Sequence, residues 1–102
     1  MIKEDGDCYE SSAHLILEIG DNAQLCHGVA TGQGEIEGIK HGHAWIEMGE
    51  LVLDFSNGKE IAMLKERYYQ IGKIDAKKVK RYSKEDAMRK MIETEHYGPW
   101  EE

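Results

Sequence analysis

The sequence predicts one α+β domain over residues 1–102, with an N-terminal helix and further helices packed on a mainly antiparallel β-sheet. Helical and strand patterns are mixed along the chain, and a two-residue turn joins two strands in its middle. No repeat, low-complexity tract or linker divides the chain. A chain of this length buries about two-thirds of its unfolded surface, which is enough for one modest core.

The first element is a helix in the stretch GDCYESSAHLILEIG, residues 6–20. Asp7 and Glu10 form a capping-box pattern, and Gly20 is a helix stop signal. This start places Cys8 in the first turn, on the side that helical spacing predicts to be buried. The other members of that stripe are Ser12, Leu15 and Ile19.

A strand follows in AQLCHGVATG, and a glycine-punctuated loop over residues 32–38 separates it from two further strands. Asn57 and Glu60 then form a second capping pattern, which predicts a helix that ends at Gly72. The apolar stripe of this helix is Ile61, Leu64, Tyr68 and Ile71.

The last elements are a strand and a helix. The stretch IDAKKVKRY is typical of an edge strand, because lysines suit an exposed sheet edge. Ser83 is placed to cap the final helix. We expect Tyr97 and Trp100, in the C-terminal stretch HYGPW, to dock on the core or on the rim of the cleft. The residues predicted to face inward from the final helix are Ala87, Met88, Met91 and Ile92.

The central stretch HGHAWIEMGELVLDF, residues 41–55, predicts a β-hairpin that turns at Gly49 and Glu50. A glycine in the first position of a two-residue turn suits a type II′ hairpin. The turn fixes the register of the two strands. The opposed pairs are then Met48 with Leu51, Glu47 with Val52, Ile46 with Leu53, Trp45 with Asp54, and His43 with Ser56.

The two faces of this hairpin differ in chemistry, because side chains alternate and opposed residues share a face. His43 and Asp54 lie on the second face as diagonal neighbours. Their backbone positions are about 7–8 Å apart in space, so the two side chains can reach each other to form a hydrogen bond. The first face is wholly apolar: Ala44, Ile46, Met48, Leu51, Leu53 and Phe55. The second face is mixed: His43, Trp45, Glu47, Val52, Asp54 and Ser56.

The mixed face permits two interpretations. The polar face of an antiparallel hairpin is usually the solvent side. Trp45 and Val52 indicate instead that part of this face is covered, since a solvated face seldom carries both. The N-terminal helix is the natural cover, and it would bring Cys8 to His43.

A thiol beside an imidazole and a carboxylate is typical of nucleophilic catalysis. Only about 3% of an ordinary thiol is ionised at pH 7. A helix N-terminus and a nearby imidazolium both stabilise the thiolate. We therefore expect Cys8 to be the nucleophile, His43 the general base and Asp54 the group that orients the imidazole. The backbone N–H of Cys8 is expected to stabilise the oxyanion.

Three motifs in order, GDCYESSA, HAWIE and VLDFS, resemble the transglutaminase-like cysteine-enzyme superfamily, a branch of the papain-like fold. The resemblance spans residues 6–56, about half of the chain. Position by position, Cys8 matches the nucleophile, His43 the general base and Asp54 the orienting acid. Trp45 and Glu47 match the remaining positions of the histidine motif, where we expect packing and local hydrogen bonds.

The resemblance implies a small cysteine hydrolase or acyltransferase, meaning a peptidase, an amidase or a transglutaminase-like enzyme. Such an enzyme acts on an amide of a peptide or protein substrate through a thioester and needs no cofactor. Two other functions stay open. One is a catalytically inactive binding module of the same fold. The other is a metal-binding protein that uses His41, His43 and Asp54, since His-x-His on a strand directs both rings one way.

The charge and the hydrophobic pattern of the sequence limit which binding partners and which cellular compartment we expect. The net charge of −7 disfavours nucleic acid as a partner. The N-terminus lacks a signal-peptide pattern, and no run approaches the roughly 18 apolar residues of a membrane span. We therefore expect a cytoplasmic protein with no membrane partner, in which Cys8 and Cys26 are free thiols. Cys26 and the adjacent His27 are expected to be a core thiol and an edge histidine.

Overall fold

The computed structural model describes residues 4–19, 22–31, 40–55 and 60–100. Within these residues, helices pack on a five-strand sheet in the order β4-β3-β2-β1-β5, and every neighbouring pair of strands is antiparallel. The prediction of an α+β domain is confirmed. The elements are α1 (Glu4–Glu18), β1 (Ala23–Thr31), β2 (Lys40–Met48), β3 (Leu51–Asp54), β4 (Ile61–Leu64), α2 (Lys65–Gly72), a 3₁₀ turn (Ala76–Lys78), β5 (Lys80–Ser83) and α3 (Lys84–Thr94).

The central hairpin has the predicted register over its three recorded pairs. Met48 pairs with Leu51, Glu47 with Val52 and Ile46 with Leu53. The turn residue Gly49 has a φ of 61°, a left-handed value that a residue with a side chain adopts at a cost. A positive φ at the first turn position is the feature that a type II′ turn requires.

The first helix begins earlier than predicted. α1 starts at Glu4, so the predicted cap Asp7 is a helical residue and Cys8 is the fifth residue of the helix. The predicted stop Gly20 lies outside the described residues. Cys8 and Ser12 are both buried, as the helical stripe predicts.

The second helix is shorter than predicted because a strand takes its first residues. Ile61–Leu64 forms β4, which pairs with β3, and α2 begins only at Lys65. Four residues are too few to separate helical from strand periodicity, and the free edge of β3 then decides the outcome. The predicted cap Asn57 and the glycine loop over residues 32–38 lie outside the described residues. The helix ends at Gly72 as expected.

Two cores lie on opposite faces of the sheet. α1 and α3 cover one face through Ile16 and Ala87, and Ile46 of β2 packs there. The other face holds Trp45 and Val52. Tyr68 and Tyr69 of α2 pack against that core, together with Ile74 and Val79 from the segment before β5. Trp45 and Val52 thus mark a covered face, but its main cover is α2 and not α1 as predicted. α1 lies mostly on the opposite face and meets the residues of this one through Cys8, which contacts His43.

The C-terminal third follows its prediction in part. The Ser83 hydroxyl accepts a hydrogen bond from the Asp86 amide at 3.1 Å, which is the predicted cap. β5 is an edge strand but begins only at Lys80, because the Asp75 side chain caps the preceding 3₁₀ turn. In α3, Ala87 is buried, whereas Met88 and Ile92 are exposed, contrary to the prediction.

The last described residues pack on the domain. The ring of Trp100 lies against the core that α1 and α3 cover, and the Tyr97 hydroxyl is 3.1 Å from Nε2 of His14. Trp100 therefore docks on the core, as expected, whereas Tyr97 is 37% exposed and contacts His14 of α1 at the surface. None of the helices in the described ranges is long and apolar enough to cross a membrane.

Candidate active site

The structure joins the two predicted members of the hairpin. Nε2 of His43 lies 2.9 Å from Oδ2 of Asp54, and their side chains are only 13% and 9% exposed. β2 supplies the ring and β3 supplies the carboxylate, so the hairpin register alone brings them together. Because the pair is largely removed from water, its electrostatic attraction is weakly screened.

Cys8 completes the group from α1. Burial disfavours the charged imidazole, but hydrogen bonds to Asp54 and to the Cys8 side chain outweigh it and raise the pKa of His43 to about 9. Nε2 already binds Asp54, so Nδ1 is the nitrogen that remains for Cys8. The three predicted residues therefore form one chain of interactions: thiol, imidazole and carboxylate.

A glycine in β2 leaves room for a tyrosine of α1. A Cβ atom at Gly42 would lie 2.6 Å from the Tyr9 hydroxyl, so a larger residue there would displace the tip of the Tyr9 side chain. Gly42 precedes His43, and Tyr9 follows Cys8. The Tyr9 side chain thus lies against β2 next to the residues that carry the thiol and the ring.

The early start of α1 changes two expectations about Cys8. In a regular helix that begins at Glu4, the amide of Cys8 donates to the carbonyl of Glu4, so it is not a free donor at a helix end. The field of the helix dipole is also strongest in the first turn, and Cys8 lies beyond it. The imidazole of His43, rather than the helix end, is then the main group that can stabilise a thiolate.

Tyr68 is a member of the site that the sequence reasoning missed. Its hydroxyl donates to Oδ2 of Asp54 at 2.7 Å, the same oxygen that His43 binds. Burial and the Asp54 carboxylate raise the pKa of Tyr68 well above its ordinary value, so it stays a donor. The sequence could have indicated this role, because Tyr68 lies on the inward stripe of the predicted helix and a buried tyrosine hydroxyl usually has a hydrogen-bond partner.

A second buried carboxylate lies further along β2. Glu47 is 3% exposed, and it accepts hydrogen bonds from Trp45 Nε1 at 3.1 Å and from the Tyr69 hydroxyl. Arg81 Nε lies 3.1 Å from Oε1 of Glu47, and Lys65 Nζ lies 3.9 Å from the same atom. Burial alone would disfavour the charged form, but these hydrogen bonds hold the pKa of Glu47 below its ordinary value.

The two groups meet at Trp45. Its indole N–H donates to Glu47, and its ring stacks on the ring of His43 with centroids 6.0 Å apart. Glu47 therefore helps to fix the indole against which the imidazole lies. This agrees with the packing and local hydrogen bonding expected for the histidine motif.

The remaining histidines and the second cysteine lie outside this chain of interactions. The His41 ring meets the His43 ring edge-on at 5.6 Å, and its Nδ1 is 3.0 Å from the Gly42 carbonyl. Cys26 is a buried free thiol, and burial and Glu47 raise its pKa far above the ordinary value. His27 is buried among aromatic rings on the interior strand β1, so the expectation of an edge histidine is wrong.

The arrangement of donors bears on the metal alternative. Across the described ranges, no group of three or more histidine, cysteine, aspartate or glutamate side chains could hold a metal ion. His43 Nε2 and the Tyr68 hydroxyl both bind Oδ2 of Asp54, so this oxygen and this ring nitrogen are engaged with each other rather than directed at a shared ion. Nothing in this geometry favours His41, His43 and Asp54 as a metal site.

Comparisons with family models, with curated proteins and with solved structures gave no match.

Proposed function

We propose that the protein is a small cysteine hydrolase or acyltransferase of the transglutaminase-like, papain-type fold, with Cys8, His43 and Asp54 as its catalytic triad. The observation that carries the proposal is the chain of interactions from the Cys8 thiol through His43 to Asp54, with 2.9 Å between the ring and the acid. Cys8 comes from α1, far from the hairpin in sequence, so local sequence does not bring the thiol to the His43–Asp54 pair. A nucleophile beside a base that a third group orients is the arrangement on which covalent catalysis depends.

The reaction follows from the acid–base properties of the three groups. His43 takes the thiol proton, and the Cys8 sulfur attacks the carbonyl carbon of an amide. The C–N bond then breaks while His43 returns its proton to the leaving amine, which produces a thioester. Water or an amine attacks the thioester, His43 accepts the proton of the attacking group, and cleavage of the C–S bond restores the thiol. Asp54 remains ionised and orients the ring throughout.

A test of acyl transfer needs no natural substrate. p-Nitrophenyl acetate is a small activated acyl donor, and the proposal expects a burst of p-nitrophenol together with one acetyl group on Cys8, located by mass spectrometry. Cys8→Ala is the active-site variant and should show no burst. Cys26→Ala is the matched control, because it removes the other buried thiol and should keep the burst. A burst that survives Cys8→Ala would contradict the proposal.

One observation favours a second candidate, a binding module of the same fold without turnover. Cys8 is only 2% exposed, so an acyl donor needs a path to the sulfur. The two candidates give different results with p-nitrophenyl acetate. If the protein is an inactive module, the folded chain gives no burst, and Cys8 becomes acetylated only under conditions that unfold it.

A further inference from the structure

Two tyrosines that follow each other in α2 hold the two buried carboxylates. Tyr68 donates to Asp54 at 2.7 Å, and Tyr69 donates to Glu47. Both tyrosine rings also pack against the ring of Trp45, with centroids 5.5 and 5.9 Å away. The two side chains therefore make similar contributions to packing but act on different carboxylates.

The donation by Tyr68 has a consequence for His43, because both use one oxygen. The hydroxyl proton of Tyr68 brings positive charge toward Oδ2 of Asp54, and this offsets part of the charge that attracts the imidazolium. The charged and titratable side chains that face His43 are Asp54 from β3, Cys8 from α1, His41 from β2 and, through Asp54, Tyr68 from α2. Of these, Tyr68 is the neutral donor that weakens the hold of Asp54 on the ring.

We propose that Tyr68 is a positioning residue that shares Oδ2 of Asp54 with His43 and thereby limits how tightly His43 holds its proton. The role rests on the proposed function, in which His43 must return a proton to the leaving amine in every turnover. A general acid works best when it does not hold its proton too strongly at the working pH. Asp54 alone would make the imidazolium a weaker acid, and Tyr68 counteracts that effect.

The test is the pKa of His43, measured by NMR titration of its ring protons in a Cys8→Ala background. Removal of the thiol leaves Asp54 and Tyr68 as the main partners of the ring and avoids a coupled titration. Two or three hydrogen bonds lower the pKa of a carboxylate by about 2 units, so one hydrogen bond lowers it by less than about 1 unit. Only part of that effect reaches the pKa of the His43 ring. Tyr68→Phe should therefore raise the pKa of His43 by about half a unit.

Tyr69→Phe is the matched control, since it removes the neighbouring hydroxyl from Glu47 and should leave the pKa of His43 unchanged. A second variant keeps the buried hydroxyl of Tyr68 and changes only its strength as a donor. Tyr68→3-fluorotyrosine makes the phenol a stronger donor and should lower the pKa of His43.

The proposal is overturned if Tyr68→Phe leaves the pKa of His43 unchanged or lowers it, or if the fluorinated variant does not lower it. The Cys8→Ala background cannot form a thioester, so the result does not depend on activity. Failure of this inference is thereby separated from failure of the proposed function, which the acetylation of Cys8 tests.

Discussion

Glu47 and Asp54 are two buried carboxylates on one face of the sheet, and they differ in the partner that balances their charge. Glu47 faces Lys65 at 3.9 Å and Arg81 at 3.1 Å, and the guanidinium of Arg81 does not lose its proton in proteins. Asp54 faces His43, which can lose its proton. The first group is therefore suited to hold structure, whereas the second is suited to move a proton.

The contrast has a geometric side as well. The partners of Glu47 come from α2, β5 and β2, so this group ties the edge strand to the central hairpin. The ring of His43 lies between Asp54 and a thiol, which is the order that nucleophilic catalysis requires. Equivalent substitutions in the Glu47 group and in the Asp54 group should therefore have different effects on activity, stability and pH dependence.

The largest expected difference concerns acyl transfer. His43→Gln removes the base and should slow the burst of p-nitrophenol by about 10²–10³-fold, within the usual contribution of general base catalysis. Glu47→Gln keeps a hydrogen-bonding side chain and should slow the burst much less, since Glu47 acts on His43 only through Trp45. Stopped-flow absorbance at matched protein concentration measures both rates. Equal losses in the two variants would show that the distinction between the groups is wrong.

The second difference concerns stability. Glu47→Ala leaves Arg81 without its buried partner and should lower the free energy of unfolding by about 2–4 kcal/mol, somewhat below the range for a fully buried pair because Arg81 is partly exposed. Asp54→Ala should cost at least about 1 kcal/mol less, because His43 can become neutral when its partner is removed. Urea unfolding followed by tryptophan fluorescence measures both. A larger loss for Asp54→Ala would contradict the assignment.

The third difference concerns pH. The folded pKa of His43 is raised from 6.5 to about 9, so its contribution is fully present below about pH 6.5 and is lost as the pH rises through about 9. The full contribution is on the order of 3 kcal/mol. The pKa of Glu47 is held below its ordinary value of 4.5, so its contribution is present above that value and is lost as the pH falls.

These opposite pH windows are measured as differences between variants. The gap in unfolding free energy between the wild type and His43→Gln should shrink from pH 6.5 to pH 9. The gap between the wild type and Glu47→Gln should stay constant over that range and shrink in acid. A gap for His43→Gln that does not change with pH would mean that the ring is not charged at neutral pH in the folded protein.

The sequence predicts the hairpin well because its register follows from local chemistry. A glycine at the first turn position sets the pairing, and strict alternation then puts His43 and Asp54 on one face. The structure confirms the register over three pairs and joins the two side chains. The prediction for Cys8 required only that the first helix pack near β2. The helix begins about one turn earlier than predicted, and this shift leaves Cys8 on the buried side of the helix.

The errors have a common physical cause. Packing between distant elements decides whether Ile61 begins a strand or a helix, and the free edge of β3 is not visible in a local pattern. The same applies to the cover of Trp45, which comes from α2 rather than α1. The partners of Tyr68 and Tyr69 depend on that packing, so the sequence predicted an inward stripe but not the carboxylates at its end.

The central claim is that His43 is the base that activates the Cys8 thiol, and the rate of alkylation with and without the imidazole ring tests it most directly. Iodoacetamide labelling is followed by mass spectrometry of the two cysteine peptides, with the buried Cys26 as the internal control. We expect Cys8 of the wild type to be alkylated at pH 7 at least about tenfold faster than Cys8 of His43→Gln, because the ring accepts the thiol proton and leaves the sulfur nucleophilic. Cys26 should react at the same slow rate in both proteins. Equal alkylation rates at Cys8 in the two proteins would contradict the central claim.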